Sequence, residues 1–529
     1  VTVRRLNRTE YRHTIADLFG IHFNTDEFFP PDDTGHGFDT IGDVLSMSPL
    51  VTQRYIDAAQ DIVSKTVVTE PVIPKDSFWW NQFKHRKSGK HKKRLRFDQA
   101  EKHDRYFKVQ HPGEYEISFN YRLPDGGRET DNTAVAVIRL DDKEIGREYL
   151  AWGDSSYLTL TKKAQVTEGE HRLTLELVPK NKPEAGQKLL ELEPRVLEIY
   201  GPLDGSYKVY PDIYKKIFVN GDRPETEVDQ SNSATWLIDY WGERLMRRPL
   251  SEEQRRRLID MYKFQRANGV SYEAAFAQCM TAMLASPGFI FRSENQPEPN
   301  NPGKIVPVDE YALASRLSYF LWSSCPDQEL MDLAEKEQLR QQLDTQIERM
   351  LKDKKSYRFV ENFVGQWLQT RDIMNAQVSP SHALGTRDYN KAKSYFSYDI
   401  RRAMRYELQS MFKHILQENR PVTEFLTADY TFINEPLAYS YGIDGIKGKD
   451  MRRIDLPADS PRGGILGSGG FLVVTSNPTR TSPVKRGLFV LENLLATPAP
   501  PAPPNVPTLE DAAKKGKNRE LTTRELMEV

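Results

Sequence analysis

Cysteine is nearly missing: the 529 residues hold two, Cys279 and Cys325. Two thiols give no CxxC pair for zinc and no CxxCH for covalent haem. Both lie in apolar helical patterns, so buried free thiols are expected, with a single disulfide as the alternative. The ten histidines form no HExxH or other close ligand pair, so a histidine metal site needs distant residues brought together by folding. No apolar run approaches the roughly 20 residues that cross a bilayer. The opening stretch VTVRRLNRTEYRH has no signal-peptide core, which leaves the compartment open. Net charge is lacking too. Against 75 Asp and Glu stand 74 Lys and Arg, so the chain as a whole has no pull toward nucleic acid. Common catalytic signatures are also missing: GGILGSGG does not have GxSxG spacing, and neither GxGxxG nor GxxxxGK[ST] occurs. Its glycines suit backbone passing close to neighbouring elements.

What is present is strongly patterned. LNRTEYRHTIADLFG predicts a helix with Asn7 and Glu10 as a capping box, Leu6 stapled to Tyr11, and Gly20 as the stop. A second helix is expected around PLVTQRYIDAAQDIV, after the loop FFPPDDTGHGFDTIGD. From 75 to 202 the period switches to two: Tyr115, Ile117, Phe119, Tyr121 and Leu123 alternate with polar residues, as do Leu173, Leu175 and Leu177. Turn signals HPGE, PDGG, LDDKE and TEGEH separate these runs, which predicts an antiparallel sandwich or barrel. Helical patterns then return. Ser251 and Gln254 make a second capping box, and Tyr272, Phe276, Met280 and Met283 line one side of the next helix.

The fold class expected is therefore α+β and multidomain, a mainly helical core with an inserted β-sandwich. Five segments follow: a helical 1–70, the sandwich at 75–202, a linker with helices at 203–300, a helical 301–445, and a C-terminal junction at 446–529. Within the last, PAPPAPPNVP (498–507) predicts polyproline II.

Several long words resemble one family, the planctomycete and verrucomicrobial multidomain proteins associated with c-type cytochrome domains. They are RRLNRTEYRHTIADLFG with PPDDTGHGFDTIGDVLSMSP, RRPLSEEQ with LASPGFIFRSE, LASRLSYFLWSSCPDQEL, GQWL, DYTFINEPLAYSYGI, and TSNPTRTSPVKRGLFVLENLLATPAPPAPPNVP. The resemblance implies a central body of a longer, extracytoplasmic or periplasmic protein. Haem c is expected only in flanking segments outside these residues. It also implies that the sandwich is similar to jelly-roll carbohydrate-binding modules. The function expected is a body that binds a glycan or other envelope polymer and presents it to redox haem domains. A polysaccharide-active enzyme and a structural envelope scaffold are the alternatives.

Candidate sites follow from residue chemistry. At SNPTRTSPVKRG, Ser482 caps a helix whose first turn carries Lys485 and Arg486, where the helix dipole disfavours cations. With Arg480 they suit a carboxylate, phosphate or sulfate, and a haem propionate is one candidate in the longer protein. The competing reading has Arg480 and Arg486 paired with internal acids. The stripe Val484, Leu488, Leu491 and Leu495 is expected to be buried. Asp32, Asp33, Asp39 and Asp43 surround two glycines in a loop that can curl about calcium, though its spacing is not that of an EF-hand and helix capping with Asx-turns explains the same aspartates. Trp152, with Tyr149 or Tyr157, offers a sugar platform or a piece of core, and Trp79–Trp80 a second platform. The run KHRKSGKHKKRLR (84–96) reads as a polyanion site or a solvated loop. Glu407, His414, Asp429, Glu435 and Tyr441 include an acid and an imidazole on one helical face, with surface exposure expected.

Overall fold

The computed structural model describes residues 3–74, 76–81, 95–123, 132–151, 157–182, 189, 191–203, 205, 207–294, 296–298, 300, 301 and 303–500. It divides into two compact units. The helical unit takes Val1–Asp57, Gly242–Pro249 and Met283–Val529, and the sandwich unit takes Ala58–Trp241 and Leu250–Ala282. The helices used below are α1 (Arg8–Phe19), α2 (Pro49–Thr66), α3 (Glu252–Ala267), α4 (Tyr272–Leu284), α5 (Glu310–Trp322), α6 (Tyr357–Trp367), α7 (Tyr398–Gln417) and α8 (Pro483–Phe489). Among the described residues no helix is long and apolar enough to cross a membrane.

In the sandwich unit the alternating segments become β1 (Asp76–Asn81), β2 (Leu95–Arg96), β3 (Glu101–Val109), β4 (Gly113–Arg122), β5 (Ala134–Leu140), β6 (Lys143–Leu150), β7 (Tyr157–Val166), β8 (Gly169–Pro179) and β9 (Glu191–Gly201). One antiparallel sheet runs β1-β9-β4-β7, with β2 also paired to β9, and the other runs β3-β8-β5-β6. Side chains alternate across a strand, so one face of each sheet can be wholly apolar. Tyr115, Ile117, Phe119 and Tyr121 of β4 share one core with Ala136, Ile138, Leu173, Leu175, Leu177, Leu197 and Ile199. Burying each large member of that set contributes about 1.5–3 kcal/mol. This core between two sheets is the sandwich that the period-two pattern predicts.

The helical part of this unit is pinned by polar contacts. Ser251 and Gln254 form the expected capping box on α3, and Tyr272, Phe276 and Met280 of α4 are buried. Glu273, only 1% exposed, accepts from Arg223 Nε at 2.5 Å, Tyr210 at 3.1 Å and Tyr214 at 3.3 Å. A buried carboxylate is tolerated only with such partners.

In the helical unit, α1 begins at the Asn7–Glu10 capping box and ends at Gly20, whose φ of 69° is left-handed. Tyr11 sits inside an aromatic nest of Phe23, Phe29, Tyr55 and Phe289, with centroids 5.2–5.8 Å away. A second core joins Trp322, Phe359, Val364, Leu408, Phe412, Tyr430, Phe471 and Phe489. Cys279 and Cys325 are buried and free, so the single disulfide is not formed.

The C-terminal helix corrects one expectation. Val484, Leu488 and Leu495 are 56%, 37% and 58% exposed, whereas Phe489 is buried. Helix α8 passes into a π-helical turn, Val490–Leu494, which holds more residues per turn and moves Leu491 and Leu495 off the expected face. The turn is fastened by Trp367 Nε1 donating to Asn493 O at 2.9 Å and Asn493 Nδ2 returning to Trp367 O at 3.0 Å. Phe489 docks on Phe471, centroids 5.2 Å apart.

Candidate functional site

Strand β1 lies at the edge of its sheet, and its pleat turns Phe78 and Trp80 toward the core and Trp79 outward. Trp79 is 57% exposed and stands opposite Glu198 of β9. Two residues further along β9, Tyr200 is 39% exposed and stands opposite Glu116 of β4. Diagonal neighbours across a strand pair are within reach of aromatic side chains. The face continues through Ser118, opposite Thr161, and Asn120, opposite Thr159. Ser118 Oγ and Thr161 Oγ1 share a hydrogen bond at 2.8 Å, and Thr159 Oγ1 donates to Asn120 Oδ1 at 2.6 Å. Two partly exposed aromatic residues, two carboxylates and a run of hydroxyl and amide groups thus share one face of the sheet. That is the chemistry of sugar recognition: ring stacking with directed hydrogen bonds.

Of the three residues first expected to do this, the structure describes the side chain of one, Tyr149. Trp152 lies outside the described residues. Tyr157 falls on β7, opposite Arg122, with its side chain outside the described set. Tyr149, 67% exposed, is on β6 of the other sheet. It stands opposite Val135, two residues from Arg147, which pairs with Glu144 at 2.6 Å. Sequence pattern alone named the Trp79–Trp80 pair without telling which ring faces out. Tyr200 it missed, because only strand register places that residue beside Trp79. The basic run lies largely outside the described residues, and Arg96 at its end pairs with Asp98 at 2.8 Å.

The aspartate loop does not curl around a common centre. Asp32 pairs with Arg5 at 2.7 Å and accepts the Arg8 amide at 2.7 Å, capping α1. Asp39 accepts from Arg371 at 2.6 Å and Asn7 Nδ2 at 3.0 Å, while Asp33 and Asp43 are exposed. Among the described residues no group of three or more His, Cys, Asp and Glu is placed to hold a metal ion. Of the four aspartates, Asp32 and Asp39 are the two paired with arginine.

At the late junction, Ser482 does cap α8, accepting the Lys485 amide at 3.3 Å, and Lys485 is exposed. Arg486 spends its guanidinium on the Thr475 and Thr481 hydroxyls, at 3.3 and 3.1 Å. Among the described residues no carboxylate pairs with Arg486. Arg480 is exposed and has contacts of its own.

The acid–imidazole pair of α7 is also corrected. Glu407 is 2% exposed and not on the surface. It accepts from Thr431 at 2.7 Å and Tyr441 at 2.6 Å. Burial pushes its carboxyl up to about 7. His414 lies instead against the rings of Tyr430 and Phe432, and Glu435 takes Lys447 at 3.2 Å. Asp429 is exposed, and its backbone carbonyl accepts from Leu456 N at 2.7 Å.

Fold and sites together describe a helical protein carrying an antiparallel β-sandwich with an aromatic outer face. Four family models match, in chain order: PSD3 (DUF1587) at residues 4–68, PSD5 (DUF1595) at 233–294, PSD4 (DUF1592) at 308–443 and PSCyt3 (DUF1588) at 462–529, each described as a protein of unknown function. The chain belongs to the planctomycete-type, cytochrome c-associated domain family. No curated protein matches it. Among solved structures, similarity extends to the CBM36-1 domain of a multidomain xylanase from the hindgut metagenome of Trinervitermes trinervoides, at 14% identity and TM-score 0.18, covering 24% of this chain and 98% of that one. A family 35 carbohydrate binding module from Clostridium thermocellum matches at 11% identity and TM-score 0.15, covering 25% and 97%. Dimeric latent PorU from Porphyromonas gingivalis matches at 12% identity and TM-score 0.18, covering 25% and 13%.

Proposed function

We propose that the chain is the glycan- or polymer-binding body of an extracytoplasmic, haem c-associated protein, and that its sandwich is a jelly-roll module working like a carbohydrate-binding module. The observation that supports this reading is the shared outer face of Trp79 and Tyr200, flanked by Glu116, Glu198, Ser118 and Asn120. A saccharide chain lies along such a face with its rings against the two aromatics and its hydroxyls against the polar row. In this reading the chain supplies binding and geometry, and haem c domains of the longer protein supply electron chemistry. The family's cytochrome association supports that division of labour.

The test is retention on immobilised polysaccharides followed by calorimetry on the hits. Trp79→Ala should weaken binding by about tenfold or more without lowering the melting point, because the ring is mostly solvent-exposed. Tyr149→Ala, on the other sheet, should bind as the parent does. Equal binding by the parent and Trp79→Ala sinks the proposal, as does retention on none of the polymers. Release of reducing ends by this chain alone would replace it with an enzymatic reading.

A further inference from the structure

In the helical unit a cleft of about 490 Å³ is lined by α1, α6, α7 and the loops that follow α1 and α6. Five arginines reach it: Arg8, Arg12, Arg358, Arg371 and Arg405. Four have acidic partners. Arg8 pairs with Asp26, Arg358 with Asp17 at 2.8 Å, Arg371 with Asp39 at 2.6 Å, and Arg405 with Glu361 at 2.8 Å. Arg12 is the exception, making no hydrogen bond or ion pair with any described residue. It is partly buried, and after burial itself the neighbouring Arg8, Arg371 and Arg358 hold its guanidinium below its ordinary value, with Glu361 opposing them.

A second, independent feature points the same way. Gln409, 2% exposed, accepts from the Tyr357 hydroxyl at its Oε1 across 2.8 Å and leaves its buried Nε2 without a partner at the cleft. Arg8 Nε and Arg405 Nε are buried and unpartnered as well. All three are N–H donors, and buried donors are rarely left unpaired. Two of the cleft's acids have both oxygens committed, Asp32 to Arg5 and the Arg8 amide and Asp39 to Arg371 and Asn7, while Glu361 engages Arg405 and Asp26 engages Arg8 through one oxygen each. Asp372 stands exposed at the rim. His13 adds no charge at neutral pH, since burial with Arg358 and Arg12 nearby takes its imidazole down to about 4.

We infer that this cleft is a binding site for a small oxyanion-bearing ligand, a carboxylate, sulfate or phosphate, received by Arg12 together with the Gln409 amide. Three buried donors without partners call for a molecule that brings acceptors, and a guanidinium with no ion pair of its own beside four others calls for one that is negative. A neutral ligand meets the first requirement and not the second. The site is separate from the sheet face and stands whether or not that face binds glycans.

The experiment uses the whole chain with glucuronate, sulfate, inorganic phosphate and neutral glucose, read by thermal shift and calorimetry. At least one of the three anions should raise the melting point and glucose should not, and which anion binds tightest names the source. Arg12→Gln should weaken that anion by about tenfold or more. It should leave the unliganded melting point unchanged or higher, because a like-charge contact is removed. Gln409→Met should weaken it as well. Equal anion responses in the parent and Arg12→Gln overturn the inference, as does silence of the parent to all three. A lowered melting point in unliganded Arg12→Gln also overturns it, since Arg12 would then be an internal structural partner.

Discussion

Tyr441 donates to Glu407 Oε2 across 2.6 Å while its own oxygen accepts the Gly469 amide at 2.6 Å. The phenol thus links α7 to the GGILGSGG loop, with the Arg462 guanidinium 3.5 Å from its ring centroid. Desolvation outweighs these favourable contacts and raises the Glu407 carboxyl from its ordinary 4.5 to about 7. Folded Glu407 therefore keeps its proton over a range where the unfolded chain has lost it. Stability contributed by this group is full below about pH 4.5, falls as pH rises to about 7 and is level above that, a total of about 3 kcal/mol. Glu407→Gln should flatten denaturant midpoints across this window, matching the parent near pH 5 and exceeding it near pH 8. An unchanged pH slope in the variant removes Glu407 as its source.

Gly464 has a φ of +53°, and a Cβ there would lie 2.7 Å from the carbonyl oxygens of Phe425 and Leu426. Gly464→Ala should cost about 2–5 kcal/mol, combining left-handed strain with overpacking against backbone. At Gly487, in α8, a Cβ meets nothing within 4 Å, so Gly487→Ala should stabilise by about 0.5–1 kcal/mol. Chemical denaturation of the two variants side by side measures both signs.

Burial pushes the Cys279 thiol up to about 12 and the Cys325 thiol up to about 11. Neither supplies thiolate near neutral pH, so a disulfide reagent should stay unreacted with the folded chain. Both thiols should titrate in denaturant. Rapid native reaction of either one contradicts its burial.

Phe489→Ala should destabilise by about 3–5 kcal/mol, since Phe489 is the residue of α8 that enters the core. Leu495→Ala should fall within about 0.5 kcal/mol of the parent. Thermal melts of the pair test which face of the late helix is covered.

That pair also marks the limit of sequence reasoning. Local grammar was legible wherever a few neighbouring residues decide the outcome. Both capping boxes, the Gly20 stop and the period-two core of β4 and β8 follow directly from residue order. The late stripe failed because Val484 and Leu488 already face solvent on the regular turns of α8, where Phe489 is the side chain that packs inward, and because the π turn beyond them, fastened by Trp367 and Asn493, changes the periodicity. Glu407 looked solvent-facing because the groups that cover it, Thr431, Tyr441 and Gly469, come from three later segments. The arginine cleft was invisible for the same reason: residue 12 meets residues 358, 371 and 409 only after the chain has returned from elsewhere.

The pairing of Arg4–Arg5 with Phe291–Arg292, and the seat of Tyr11 against Phe289, set an order of events during synthesis. A ribosome adding about 5–20 residues each second leaves the first helix waiting on the order of tens of seconds for those partners. Throughout that delay Tyr11 has Phe23, Phe29 and Tyr55 around it but lacks Phe289, while the intervening β-rich segment is free to complete itself. Fragments stopped before residue 289 should consequently depend on chaperones or precipitate, however sound the domain they contain.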